Sequence, residues 1–193
     1  MAGQARVLSE QQIKAVLSYL DRTRMPRRNK LMFLLSIRSG LRAKEISDLT
    51  WDMVDDGESG IADAIQLSHA ASKGRSGRAI PIHKSIAPLL AELKARITTY
   101  NVNEPVIISE RGGKLSANVI SQWFGRLFTD LGMSGCSSHS GRRTFVTKAA
   151  HLAVRAGGSL REVQELVGHK HLGTTQRYIE TNAKSKRRIV DMM

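Results

Sequence analysis

Apolar residues return at helical spacing along most of this chain, and the pattern gives way at length only between residues 61 and 82. Ser9 is placed to cap a helix that carries Ile13, Val16, Leu17 and Leu20 on one face. Met25 to Arg28 read as a break, after which Leu31, Met32, Leu34, Leu35 and Ile37 predict a mostly buried helix. Ser39-Gly40 ends it, because glycine readily takes the left-handed position at a helix C-terminus. A third helix follows at once, with Leu41, Ile46 and Leu49 toward the core and Arg42 and Glu45 on the other side. In the exceptional stretch, Ala64 to Ser68 and Arg78 to Ile82 flank a Ser-Lys-Gly-Arg-Ser-Gly run, which predicts a β-hairpin whose loop holds Lys73. Helical spacing resumes over Ser85 to Ile97, Ser116 to Leu131, Ser140 to Ala156 and Leu160 to Val167, with a shorter piece around Tyr178 and one added strand at Val106 to Ser109. The expected class is α+β, mainly α-helical with a small antiparallel β-sheet, and Trp51 and Trp123 belong to core or interface.

A chain of 193 residues that is 41% hydrophobic suits one compact domain, taken as residues 1–193 with short flexible ends. Lys and Arg number 30 against 17 Asp and Glu, and the resulting charge of +13 is spread along the chain, which points to a polyanionic partner. Charge names a partner class and no reaction. Cys136 is the single cysteine, so no intramolecular disulfide is possible. The N-terminus lacks a signal-peptide core, and the longest apolar stretch, near Leu31 to Ile37, is too short to span a bilayer, so the chain reads as soluble and intracellular, with no membrane partner. His169 and His171 stand two apart without cysteine or carboxylate at ligand spacing, so no metal is expected there.

Three segments narrow the class. Ser39-Gly-Leu-Arg-Ala-Lys-Glu-Ile-Ser-Asp-Leu49 resembles the first arginine motif of the tyrosine recombinase, or phage integrase, family. Ser138-His-Ser-Gly-Arg-Arg-Thr144 resembles its His-x-x-Arg motif, and Leu166-Val-Gly-His-Lys-His-Leu-Gly-Thr-Thr-Gln-Arg-Tyr178 its closing motif, with His169 and Tyr178 nine positions apart. The resemblance covers nearly the whole chain. It implies the catalytic-domain fold of that family and DNA cleavage and rejoining without metal or nucleotide cofactor. It further implies double-stranded DNA as partner, a homo-oligomer from dimer to tetramer on DNA, accessory DNA-bending proteins, and a cytoplasmic, nucleoid-associated setting.

The residue types suit that chemistry. Displacement at a phosphodiester builds negative charge on the non-bridging oxygens, which two guanidiniums, always protonated and shaped for bidentate contact, stabilise; Arg42 and Arg142 are the candidates. Without a metal, the attacking phenol needs a proton acceptor, assigned to His139, and the leaving sugar oxygen needs a donor, assigned to Lys73. The resemblance gives His169 a role on the phosphate or the nucleophile and lets Glu45 brace the basic side chains beside it. Tyr178 then attacks and leaves a 3′-phosphotyrosyl link with a free 5′-hydroxyl, so rejoining needs no ATP. Lys44, Arg75, Arg78, Arg143, Lys170 and Arg177 are expected to contact DNA.

Each residue also has a plainer reading. Arg42 alone would be a solvated helix residue, His139 a helix cap, Arg142 and Arg143 an exposed basic face, and Tyr178 a half-buried aromatic. Lys84, Arg75 and Arg78 compete with Lys73 for the hairpin role. The sequence departs from the family in three places. Fewer than fifty residues precede Arg42, so no separate DNA-clamping domain is expected, as in an excised fragment or in short recombinases such as those that invert fimbrial switches. Gly141 stands where leucine is common, and Arg143 where histidine is. The basic tail from Ile179 to Met193 is expected to pack on a neighbouring protomer. Three rival functions stay open: a type IB topoisomerase-like relaxing enzyme, a DNA-binding protein without chemistry, and, last, an RNA-binding module.

Overall fold

The computed structural model describes residues 5–58, 60–67, 77–178 and 191. Two compact units are present, Met1–Phe145 and Val146–Met193. Among the described residues the chain is mainly α-helical with one two-stranded antiparallel sheet.

The first unit is built around a helix that is buried on all sides. Helix α1 (Glu10–Leu20) starts at Ser9, whose hydroxyl accepts from the Gln12 N–H while the Gln12 side chain accepts from the Ser9 N–H. Its Ile13, Val16 and Leu20 are buried. Helix α2 (Pro26–Arg38) begins earlier than the sequence suggested, because proline fits the first helical position, where its missing N–H has no partner to lose. Every residue from Leu31 to Ile37 is buried, and α2 packs against α1, α3 (Ala43–Asp48) and α4 (Ala87–Lys94). Helix α4 is shorter at both ends than the expected span to Ile97. Helix α5 (Ala117–Asp130) is capped by Ser116 and packs on α3 through a face that buries Ile120, Phe124, Leu127 and Phe128. Trp51 is buried in the core, and Trp123 sets its edge against Phe124.

Strands β1 (Ala64–Leu67) and β2 (Arg78–Pro81) pair with Ile65 opposite Ile80 and Leu67 opposite Arg78. The strand expected at Val106 to Ser109 does not form. Thr50 and Pro105 form only an isolated bridge, closed by the Trp51 N–H on the Glu104 carbonyl and the Val106 N–H on the Leu49 carbonyl, and Ile108 bridges Lys114 across a turn instead.

Helix α6 (Ser140–Ala153) begins in the first unit and continues into the second, where a single 3-10 turn, Val154–Ala156, ends it. The second unit then forms α7 (Leu160–Val167) and α8 (Leu172–Gln176), which pack together. Ser159 and Glu162 cap the start of α7 reciprocally, and Gly168 closes it at φ 62°, the left-handed conformation that glycine adopts without penalty. Helix α8 ends before Tyr178, which lies in the following turn with its N–H on the Thr175 carbonyl at 3.1 Å.

Candidate active site

Gly40 fixes the first corner of the site. Its φ of +67° turns the chain from α2 toward α3, and a Cβ there would stand 2.5 Å from the Phe145 ring. Only glycine satisfies both conditions. The turn makes Arg42 the residue that opens α3, with its N–H on Glu45 Oε2 at 2.7 Å and its Nη1 3.2 Å from Glu45 Oε1. Arg42 therefore keeps an exposed guanidinium on a backbone held at both ends, its side chain 43% accessible.

Arg142 approaches the same corner from α6. Its Nη1 donates to the Gly40 carbonyl at 2.6 Å and lies 3.9 Å from Glu45 Oε2, with the residue almost wholly buried. The start of α6 is held in turn. Ser140 Oγ accepts from the Ser137 N–H, the His139 carbonyl accepts from the Arg143 N–H, and Thr144 Oγ1 accepts from Leu8 N–H while donating to the Ser140 carbonyl. His139 is exposed at the head of this helix, and Arg143 is half-buried one turn on.

The hairpin contributes a third guanidinium. Alternation along β2 puts Arg78 on the same face as the buried Ile80, so its side chain turns inward, only 10% accessible, with Nη2 3.0 Å from Glu45 Oε1. Lys73 and Arg75, in the loop between the strands, lie outside the described residues, as does the tail from Ile179 to Val190. Burial alone would raise the Glu45 carboxyl. The charges of Arg78 and Arg42, with the Arg42 N–H, outweigh it and hold the group below the usual carboxylate range. Lys44 is exposed and pairs with Asp48 at 2.8 Å.

In the second unit, His169 and Tyr178 stack with ring centroids 6.0 Å apart and planes 23° from parallel. His169 Nδ1 is 3.0 Å from the Thr175 hydroxyl, and Thr175 is fully buried. The backbone of His169 is fixed as well, its N–H on the Gln164 carbonyl and its own carbonyl accepting from the Gln164 side chain. Both rings are half-buried, while Lys170 and Arg177 are exposed beside them.

One unit thus gathers Arg42, Arg78 and Arg142 about the Glu45 carboxylate, an arrangement able to hold an anionic oxygen. The other gathers an imidazole and a phenol, an arrangement able to present a nucleophile. The gatherings include two groups that the motifs did not single out, the Gly40 carbonyl and the Thr175 hydroxyl, and they include Arg78, which was expected to contact DNA and is instead turned inward against Glu45. For Arg78 a signal was present, since Arg78 and Ile80 alternate onto one strand face.

Comparison with known proteins gives the family. Residues 6–185 match the model of the Phage integrase family. The chain belongs to that family. Among curated members, it is 30% identical over 188 residues to the tyrosine recombinase XerA of Pyrococcus horikoshii, covering 95% of this chain and 60% of the relative. It is 32% identical over 159 residues to the tyrosine recombinase XerC of Corynebacterium efficiens, covering 82% and 48%. The chain therefore spans about half to three-fifths of the length of these relatives. Among solved structures, the Tn1549 transposon integrase in complex with circular intermediate DNA superposes with a TM-score of 0.76 at 17% identity, over 98% of this chain and 67% of that one. The XerA recombinase does so with a TM-score of 0.71 at 22% identity, over 98% and 66%. These similarities establish the fold of this phage integrase family member. Its Gly141 has a local reason, since a Cβ there would lie 2.2 Å from Ser36 Oγ and 2.8 Å from Ser36 Cβ on α2. No helix among the described residues is long and apolar enough to cross a membrane.

Proposed function

We propose that this chain carries the catalytic residues of a site-specific DNA recombinase that integrates, excises or inverts a DNA segment through a covalent 3′-phosphotyrosyl intermediate. The observation that carries the reading is the set of guanidiniums around Glu45, with Arg142 drawn 2.6 Å onto the Gly40 carbonyl and Arg42 left exposed. Two fixed cations aimed at one phosphate stabilise the charge that builds on its non-bridging oxygens, and they do so without reorganising during the reaction.

The remaining roles follow from chemistry and family membership. Tyr178 is the nucleophile, and its phenolic proton passes to His139, exposed at the head of α6. Lys73 protonates the leaving 5′-oxygen. His169, oriented by Thr175 and stacked on Tyr178, holds the nucleophile and meets the phosphate. Lys44, Arg75, Arg143, Lys170 and Arg177 contact the DNA backbone. The working form is an oligomer of two to four copies on double-stranded DNA in the cytoplasm, with the tail beyond Tyr178 exchanged between copies. DNA-bending proteins assist assembly where the site requires it.

Strand exchange separates this reading from simple relaxation. A pool of nicked duplexes of randomised sequence is incubated with the chain, and covalently captured duplexes are sequenced to obtain a preferred site. That site is then offered together with a labelled second duplex. The reading predicts a joined product containing both duplexes. Nicking or relaxation with no joined product on that site would point to a topoisomerase-like enzyme instead.

A further inference from the structure

Glu45 presents an electrostatic problem that Arg42 and Arg142 do not solve between them. A carboxylate seated between two phosphate-binding guanidiniums cancels part of the charge they present to the substrate. The structure puts a third guanidinium on it. Arg78 Nη2 lies 3.0 Å from Glu45 Oε1, and the Arg78 side chain is only 10% accessible against 43% for Arg42. Nε and Nη2 of Arg78 are shielded from solvent, and Nη2 meets Glu45 by charge and hydrogen bond together. A guanidinium cannot shed its proton to escape burial. Its strand position is fixed, because Arg78 stands opposite Leu67 and shares a face with Ile80.

We infer that Arg78 is a positioning residue that supplies the counter-charge to Glu45, so that Arg42 and Arg142 face the scissile phosphate with their positive charge undiminished. The inference rests on the recombinase reading above and deepens it. Three guanidiniums around one carboxylate leave two positive charges, which matches the charge a phosphodiester acquires as the nucleophile adds. Glu45 keeps its task as acceptor for the Arg42 N–H at 2.7 Å while its charge is answered from the buried side. Arg78 touches no substrate atom in this account. It acts through Glu45.

The test uses the 193-residue chain and the duplex selected by covalent capture. Single-turnover cleavage is measured at saturating protein, and the dissociation constant separately. R78M is expected to slow cleavage by roughly 10–100-fold while leaving the dissociation constant within about twofold. R78K, which keeps the charge, is expected to recover most of the rate. The decisive variant is the double E45Q/R78M. The amide put in place of the Glu45 carboxylate still accepts the Arg42 N–H but lacks the charge that Arg78 answered, so the double variant is expected to cleave several-fold faster than R78M alone. A double variant no faster than R78M overturns the inference, because a purely structural arginine gives no such compensation. Weaker binding with a shallower salt dependence and an unchanged cleavage rate overturns it also, since that is the signature of a direct DNA contact. Where R78M does not fold, the neutral but polar R78Q and E45Q/R78Q carry the same comparison: the double variant is expected to cleave several-fold faster than R78Q, and a double variant no faster overturns the inference. No covalent capture by the wild-type chain would overturn the recombinase reading itself, an outcome distinct from a cleaving wild type with a fully active R78M.

Discussion

Glu45 ties the folding of this corner to pH. Its carboxyl is held below its ordinary value, burial being outweighed by Arg78 and Arg42, so the folded state takes up a proton less readily than the unfolded chain does. Stability from this group is fully present above the unfolded value near 4.5 and is lost as pH falls through the lower folded value. Asp48, lowered by the hydrogen bonds of Lys114 and Lys44, behaves in the same sense. We expect E45Q to be less stable than wild type at neutral pH, and the gap to narrow as pH falls below about 4.5. Urea midpoints across that range measure it, and a gap that stays constant contradicts it. At this scale the sequence was informative where a motif set the spacing. The resemblance named Arg42, Glu45 and Arg142 together, and both guanidiniums lie beside the Glu45 carboxylate, while His169 stacks on Tyr178. Thr175 was not legible, because nothing local marks which of Thr174 and Thr175 turns inward to His169. The acceptor role of the Gly40 carbonyl was hidden as well, since a backbone oxygen leaves no trace in residue identity.

Elements were legible in proportion to the strength of their local signals. The cap at Ser9, the glycine stop after α2 and the two hairpin strands all appear close to where the residues put them. The extra strand at Val106 to Ser109 failed because the pattern of apolar residues carries no information on whether a partner segment runs beside it for more than a single bridge. The approach of α2 to the head of α6 is likewise tertiary, and it makes a prediction with a definite sign. Helix propensity alone says that Gly141→Ala stabilises by about 0.5–1 kcal/mol. The contact says otherwise, since the new Cβ would lie 2.8 Å from Ser36 Cβ and 3.3 Å from the Ser36 backbone carbon. Overpacking of this kind costs about 1–3 kcal/mol, so G141A is expected to be destabilised by about 1–2 kcal/mol. In a double-mutant cycle with S36G, the combined variant should be more stable than additivity allows by at least about 1 kcal/mol. An additive cycle, or a stabilised G141A, would show that the two helices have room between them.

Across the whole molecule, the charge of +13 and the exposed Lys44, Lys170 and Arg177 belong to one account of binding. Cations that neutralise phosphates release the counterions condensed on DNA, so affinity falls steeply with salt. For about six to ten phosphate contacts, raising salt from about 50 to 200 mM is expected to weaken binding by about 10³–10⁵-fold, as measured by fluorescence anisotropy on the captured duplex. A flat salt response would contradict the electrostatic part of the account. The same view of the molecule bears on its central claim, that Tyr178 becomes joined to DNA. The most direct measurement digests the protein–DNA adduct formed on the selected duplex and identifies the linked peptide and DNA end by mass spectrometry, with Tyr178→Phe in parallel. The account predicts a single phosphotyrosyl linkage from Tyr178 to a DNA 3′ end, a free 5′-hydroxyl on the other fragment, and no adduct from the variant. Linkage through another residue, attachment to a 5′ end, or an undiminished adduct from Tyr178→Phe would contradict it.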